Sequence, residues 1–393
     1  MPSRLARITA LPSVLSVVVL GLVVSGSDAY AGAAAAAPSA DQAAVDAVLA
    51  ASPTDASIAG ASDADLVRAA VRCVSLETAT YCLHYGWGTP PDSALQASTA
   101  DVGQATAGDT SLTAAVRAWA AKPFKQRRAD EQDELAQAQA ALGKVLLLNH
   151  VVLGSALPAN FTTRFPEVAP ILAKIESGGG APQAASGQGA AVISPDVQTN
   201  CDNGTNVGCG YAPMLSSRMA KQTQPYNCGA ASMQAIAWND PKASVYKNQA
   251  QWESILGTTS ANGTNAYNLM TAINNYTHWD DSDYAGKYAI VSIANYTVAN
   301  FRSMFTNHLR IEHAPVQMNP KLNPTTTTYY KGYTDGHYDV VIGYDYSVGD
   351  WVQLYEPAGG AAQGHIYDPV TAWDDTTHIR LASMANPNKL VIE

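Results

Sequence analysis

The chain has 393 residues, of which 47% are hydrophobic and 14% are charged. At about 100–200 residues per domain this length fits two domains or three, and the apolar content is sufficient for a folded core. The net charge is −10. A nucleic-acid-binding protein would carry a basic stripe, so the composition argues against nucleic acid, or an anionic membrane surface, as the main partner.

The first 31 residues have the three parts of a secretory signal peptide. Arg4 and Arg7 give a basic start, an apolar run covers 14–24, and 29–31 (Ala-Tyr-Ala) supplies the cleavage pattern before Gly32. The apolar run is short for a membrane span, which takes about 20 residues. We therefore predict a secreted protein that keeps no stable membrane insertion after signal cleavage.

Export affects how the five cysteines are interpreted. Cys73 and Cys82 are close in sequence, as are Cys201 and Cys209, so two local disulfides are expected in an oxidising compartment. Cys228 remains, either as a reactive thiol or as an inert core thiol. No C-x2-C pair is present, so no zinc site is predicted.

Composition divides the rest of the chain into three parts. The region 32–176 is Ala-rich and mainly helical in pattern, with helices predicted over 63–74 and, as one or two helices, over 111–152. Gly, Ala, Ser and Gln dominate 177–200, as in a flexible linker. A second domain is expected over 201–393. The helical region before the linker is interpreted either as an inhibitory pro-region or as a binding domain.

In the second domain, helix patterns come mostly before strand patterns, which predicts an α+β class. Helices are predicted over 227–238, 248–256, 266–274 and 299–310, and strands over 288–293, 314–318, 337–344, 351–356 and 379–382. Asn227 takes the cap position of the first of these helices.

Cys228 lies at the predicted start of that helix. The helix dipole and the free amide groups there favour a thiolate. Gln222 lies six residues upstream, where its amide would donate a hydrogen bond to a developing oxyanion. Gln224 is the alternative donor. Cys228 is therefore the candidate nucleophile and Gln222 the candidate oxyanion donor.

His337 is the best candidate base among the eight histidines. It follows Gly336 and opens an apolar strand, GHYDVVIGYD. A catalytic base needs an acceptor that orients its ring. Glu356 ends the next predicted strand and is the first choice. Asp339, two residues along the same strand face, and Asp368 are alternatives.

The segment QTQPYNCGAAS at 222–232, followed by GHYDVVIGYD and a strand ending in Glu-Pro, resembles the papain-like cysteine peptidases of the bacteriocin-leader-processing (double-glycine peptidase) type. It is most similar to their secreted, stand-alone relatives, over roughly residues 215–375. The resemblance implies a helix bearing the nucleophile packed on an antiparallel sheet, and peptide-bond hydrolysis through a thioester.

Carried over by position, the resemblance makes Cys228 the nucleophile, His337 the general base and then acid, and Gln222 the oxyanion donor. Glu356 stands where the family usually has Asp. The resemblance implies a peptide or protein substrate, with cell-wall peptide as one candidate, and no cofactor or metal is expected.

Two other functions remain open from the sequence. The same thioester would serve a cell-wall amidase or endopeptidase, or an acyl- or peptidyl-transferase. The domain would otherwise be an inactive binding module with Cys228 as a core thiol.

Two motifs are interpreted as structural. His308 and His313 would lie about 140° apart around a helix, so solvent exposure or a helix end is expected rather than a metal pair. The acidic segment WDDSDY over 279–284 lacks the closing Glu of a calcium loop, so a surface turn is expected.

Overall fold

The structure is a computed structural model that describes residues 40–88, 112–179, 208–322, 336–347, 349–358 and 371–393. The predicted signal peptide, most of the predicted linker, Cys201 and Asp368 lie outside these ranges. Cys209 is disulfide-bonded, while its expected partner is among the residues not described.

The helices are numbered here in chain order. They are α1 (Ala40–Ala50), α2 (Asp55–Ile58), α3 (Asp63–Ala70), α4 (Leu112–Ala120), α5 (Phe124–Leu153), α6 (Phe161–Arg164), α7 (Ala169–Lys174), α8 (Cys228–Trp238), α9 (Gln249–Leu256), α10 (Ala266–Tyr276), α11 (Val298–Thr306) and α12 (Thr376–Ala385). A π-helical turn, Asn307–Ile311, continues α11. Within the described residues, no helix combines the length and apolar character needed to cross a bilayer.

The strands join in one mostly antiparallel sheet. They are β1 (Cys73–Leu76), β2 (Ala79–Cys82), β3 (Gly86–Gly88), β4 (Cys209–Tyr211), β5 (Ile290–Ser292), β6 (Val316–Met318), β7 (Asp339–Asp345), β8 (Trp351–Tyr355), β9 (Thr371–Asp375) and β10 (Leu390–Ile392). The order is β1-β2-β3-β5-β10-β6-β7-β8-β9, and β4 pairs with β7. Helices and a mostly antiparallel sheet make a mixed fold that agrees with the predicted α+β class.

The Ala-rich first half contributes strands to this sheet. Cys73 and Cys82 face each other across the β1–β2 hairpin and form the expected disulfide. Strand β3 then pairs in parallel with β5 through Trp87 and Val291. These strands have only three or four residues each, too few for an alternating pattern to reveal them in the sequence.

A buried ion pair also joins the two halves of the chain. Lys144 on α5 donates through Nζ to Oε2 of Glu312 and to the carbonyl of Ala285, both at 2.6 Å. All described residues belong to one compact unit.

The helices predicted in the second domain are present, with ends shifted by a few residues. The strand predicted over 379–382 is wrong, because these residues lie inside α12. Asp375 caps this helix by accepting a hydrogen bond from the backbone N–H of Thr377 at 2.7 Å. Four residues are too short a window to separate a strand from one face of a helix.

Candidate active site

Cys228 is the first residue of α8, and its side chain is a thiol that forms no disulfide. It is 7% exposed. A Cβ added at Gly229 would lie 2.5 Å from the Cβ of Thr264, so glycine is what allows this helix start to approach the neighbouring loop so closely. The sulfur lies at the end of the helix where the dipole favours negative charge.

Asn227 occupies the cap position, as predicted, but its side chain makes no capping hydrogen bond. Instead, its Nδ2 donates to Oγ1 of Thr223 at 3.0 Å and to Oε1 of Glu253 at 2.6 Å. Its Oδ1 accepts from the backbone N–H of Gln224 at 3.1 Å. The side chain therefore fixes the loop before the helix rather than the helix end itself.

Gln222 is buried, whereas the alternative donor Gln224 is exposed. The backbone N–H of Gln222 donates to the carbonyl of Pro357 at 2.7 Å, and its Nε2 donates to the carbonyl of Gln224 at 2.9 Å. Pro357 directly follows Glu356. The backbone of Gln222 is thus held beside the end of β8 that carries the candidate acid.

His337 lies two residues before β7 rather than within a strand, and its backbone N–H donates to the carbonyl of Pro320 at 2.9 Å. Its side chain is fully buried. The ring Nε2 is 2.7 Å from Oε1 of Glu356 and 3.2 Å from Oδ1 of Asp339. Two of the three candidate acids therefore face the same imidazole nitrogen.

The sheet register explains this arrangement. Val340 on β7 pairs with Tyr355 on β8, so the adjoining residues, Asp339 and Glu356, come opposite each other. Directly opposite residues point to the same face of a sheet. The ring of His337, which lies just before β7, contacts both carboxylates at this face.

The charge balance around His337 favours the imidazolium form. Burial alone would lower the pKa of His337, but the negative charge of Asp339 and the charge and hydrogen bond of Cys228 outweigh it and raise this pKa to about 10. The same ring is therefore linked to the cysteine and to a carboxylate. A histidine that faces both a cysteine and a carboxylate has the neighbours that a base for a cysteine nucleophile needs.

Burial raises the pKa of Glu356 well above its ordinary value. The hydrogen bond from the backbone N–H of Ala358 lowers this pKa, and the charge of Cys228 raises it further. That N–H donates to Oε1 of Glu356 at 2.6 Å. Glu356 is the closer hydrogen-bond partner of His337, and Asp339 is the carboxylate whose negative charge raises the pKa of that ring.

Tyr355 is a further residue beside the site that the sequence does not indicate. Its hydroxyl lies 2.6 Å from the carbonyl of Ala220 and 3.3 Å from that of Ala231, so it connects β8 to both sides of the Cys228 loop. Burial, and then the charge of Cys228, raise the pKa of Tyr355 above its usual range. A tyrosine within an apolar strand gives no sequence signal for such a contact.

His337, Asp339 and Glu356 also form a cluster of metal-ligating type, with donor atoms within 4.8 Å of one another. Ligands about 2.1 Å from a tetrahedral ion would be about 3.4 Å apart. The 2.7 Å contact between His337 Nε2 and Glu356 Oε1 is shorter than that. The geometry fits a direct hydrogen bond better than two ligands of a shared ion.

The other motifs have structural partners. His308 lies at a helix end, as expected, but it is buried rather than exposed, 3.4 Å from Glu312. His313 is exposed. The carboxylates of WDDSDY pair with lysines: Asp281 and Asp283 with Lys242, and Asp280 with Lys287.

Comparison with protein families, curated proteins and solved structures finds no match to this chain.

Proposed function

We propose that the protein is a secreted papain-like cysteine peptidase that hydrolyses peptide bonds through a thioester on Cys228. The observation that carries the proposal is the His337 ring, which interacts with the cysteine at a helix N-terminus and with Glu356 and Asp339 at Nε2. Strongly perturbed titratable groups linked to a specific charge partner are typical of catalytic sites.

In the proposed reaction, the Cys228 thiolate attacks the peptide carbonyl and forms a tetrahedral oxyanion. The imidazolium of His337 gives its proton to the leaving amine as the C–N bond breaks, which leaves the acyl group on sulfur. Neutral His337 then takes a proton from water, the hydroxide displaces the thiolate, and the acid product leaves. Nδ1 is the ring nitrogen that would exchange these protons, because Nε2 faces the carboxylates.

The oxyanion would be stabilised by the side-chain amide of Gln222 and the backbone N–H of Cys228. Gln222 is buried and its loop is fixed to Pro357 at 2.7 Å. A donor that is already in place when charge develops costs little reorganisation during the reaction. The Cys73–Cys82 disulfide supports an oxidising location, in agreement with the proposed secretion.

An inert core thiol explains these surroundings poorly. Burying ionisable side chains is costly unless they are paired, and an apolar core around Cys228 would avoid that cost. Here a histidine and two carboxylates are buried together next to a thiol. Such a cluster is better explained by a chemical role than by packing.

The test is hydrolysis of an unfolded protein and of a defined peptide library by the full chain and by Cys228→Ala. We expect turnover to be abolished by this substitution and retained in the control Ser232→Ala, one helical turn further along α8. The ordinary pKa of a cysteine thiol is about 8.5. Iodoacetamide should label Cys228 rapidly at pH values well below that pKa.

Other outcomes would separate the alternatives. Normal hydrolysis by Cys228→Ala would refute the nucleophile. Release of peptidoglycan fragments without cleavage of unfolded protein would favour an amidase or transferase. Labelling only after denaturation, with no turnover, would favour the binding module, and inhibition by EDTA would favour a metal at His337.

A further inference from the structure

Helix α9 presents a buried glutamine to the loop that carries Gln222. Gln249 is the first residue of this helix, and Asn248 and Gln251 form a capping box that fixes the helix start. Gln249 is 4% exposed, and Trp252, in the next turn, is fully buried. The side chain of Gln249 therefore extends from a fixed helix end into the protein.

The carboxamide of Gln249 contacts the backbone on both sides of Gln222. Its Nε2 donates to the carbonyl of Lys221 at 2.7 Å. Its Oε1 accepts from the backbone N–H of Thr223 at 2.7 Å and from Oγ1 of Thr223 at 3.1 Å. A single side-chain amide thus binds the residues before and after Gln222, much as a neighbouring peptide group would.

The same carboxamide reaches the residue next to the nucleophile. Oε1 of Gln249 accepts from Nδ2 of Asn227 at 3.2 Å, and its Nε2 lies 3.2 Å from Oε1 of Gln234 on α8. Both ends of the 221–227 loop, and the helix that follows it, are therefore attached to one residue.

Gln222 depends on this support more than its own contacts suggest. Its side chain donates one hydrogen bond, to the carbonyl of Gln224, and its buried Oε1 has no hydrogen-bond partner among the described residues. The position of its amide is then set mainly by the backbone, which Pro357 holds on one side and Gln249 on the other.

We infer that Gln249 is a positioning residue that holds the Gln222 amide in the oxyanion hole. The inference rests on the proposed function and adds a residue outside the Cys228–His337 pair. The hydrogen bonds of the Gln249 carboxamide go to the 221–227 loop and to Gln234, so removing it should disturb the oxyanion donor and leave the reactivity of the thiol intact.

The test compares Gln249→Leu, which removes the carboxamide at similar size, with Gln249→Glu, which keeps the accepting oxygen. For Gln249→Leu we expect kcat to fall between about 10-fold and 100-fold, because small misplacement or loss of an oxyanion donor has effects of this order. KM and the iodoacetamide rate of Cys228 should stay within about twofold. Gln249→Glu should lose less activity than Gln249→Leu.

Gln251→Ala is the matched control, since it removes an exposed glutamine from the same helix whose capping hydrogen bonds are with Asn248 rather than with the 221–227 loop. It should keep kcat. Hydrogen exchange provides a readout that needs no activity: the Thr223 amide should exchange faster in Gln249→Leu and remain protected in Gln249→Glu and Gln251→Ala.

A double variant tests whether Gln249 affects kcat through Gln222. If Gln249 acts through Gln222, the double variant Gln222→Ala/Gln249→Leu should be no slower than Gln222→Ala alone. Additive losses, unchanged kcat in Gln249→Leu, or unchanged exchange at Thr223 would each overturn the inference. Absence of hydrolysis by the unmodified chain would instead refute the proposed function, and Thr223 exchange would still decide whether Gln249 holds the loop.

Discussion

Replacing Asp339 with Asn should lower the pKa of His337 and move the alkaline limit of activity. Asp339 is buried, and its Oδ1 lies 3.2 Å from Nε2 of His337. Burial alone would lower the pKa of His337, and the charges of Asp339 and Cys228 raise it to about 10. The imidazolium must be protonated to donate to the leaving amine, so kcat/KM of the unmodified protein should fall as pH rises through about 10.

The size of the effect follows from the contact. Two unit charges 3.2 Å apart attract with about 5 kcal/mol at an effective dielectric constant of about 20, or about four pKa units at roughly 1.4 kcal/mol each. Glu356 should replace part of the lost attraction to the imidazolium, because the loss of a neighbouring negative charge lets a carboxyl ionise more readily. We therefore expect the pKa of His337 to fall by about two units in Asp339→Asn.

The assay is kcat/KM between pH 6 and pH 11 for the unmodified protein, Asp339→Asn and the control Asp345→Asn. Asp345 is a buried aspartate at the other end of β7. Its variant should keep the limit near pH 10. An alkaline limit that does not move in Asp339→Asn would refute the assignment of Asp339 as the charge beside His337.

The free energy of unfolding should also fall as pH rises through the pKa of His337. The pKa of His337 is raised from 6.5 to about 10. The imidazolium therefore stabilises the fold fully below pH 6.5, and this contribution is lost as pH rises through about 10. Between pH 6.5 and about 10, the free energy of unfolding measured by urea denaturation should fall less steeply in Asp339→Asn than in the unmodified protein.

Two further predictions concern packing and a second buried acid. Gly229→Ala places a Cβ 2.5 Å from that of Thr264, so the free energy of unfolding measured in urea should fall by about 1–3 kcal/mol. Adding Thr264→Gly should restore part of this stability. Burial raises the pKa of Glu393 from 4.5 to about 8, partly offset by Lys144. Its contribution to stability is full below pH 4.5 and lost as pH rises through about 8. The unfolding free energy should fall by about 1.4 kcal/mol per pH unit over that window from this group, and equal slopes in Glu393→Gln and the unmodified protein would contradict the buried-acid interpretation.

The parts of the site that the sequence could predict are those set by local structure. Cys228 at a helix start requires only a short helical pattern, and the contact between His337 and Glu356 follows from two adjacent strands joined by a turn. The alternation rule also placed Asp339 on the face of His337. It could not show that Asp339 and Glu356 share one ring nitrogen, because that depends on the register of β7 against β8.

Contacts between distant segments were beyond the sequence. Gln249 lies in an ordinary amphipathic helix, and nothing in its spacing points to the Gln222 loop. Strand β3 pairs with β5 through Trp87 and Val291, and neither three-residue strand carries a pattern that specifies its neighbour. One side-chain amide and one parallel bridge were therefore visible only in the folded chain.

The position of the Ala-rich first half bears on whether it is a removable pro-region. Its strands extend the sheet from β5, and β5, β10 and β6 separate them from β7, next to His337. Removing it would expose the edge of β5 and leave Glu312 buried without Lys144. An unpaired buried charge destabilises a fold by several kcal/mol, roughly 3–5. A segment that leaves after processing would have to be replaced in both roles, so these contacts favour a permanent structural part of the molecule.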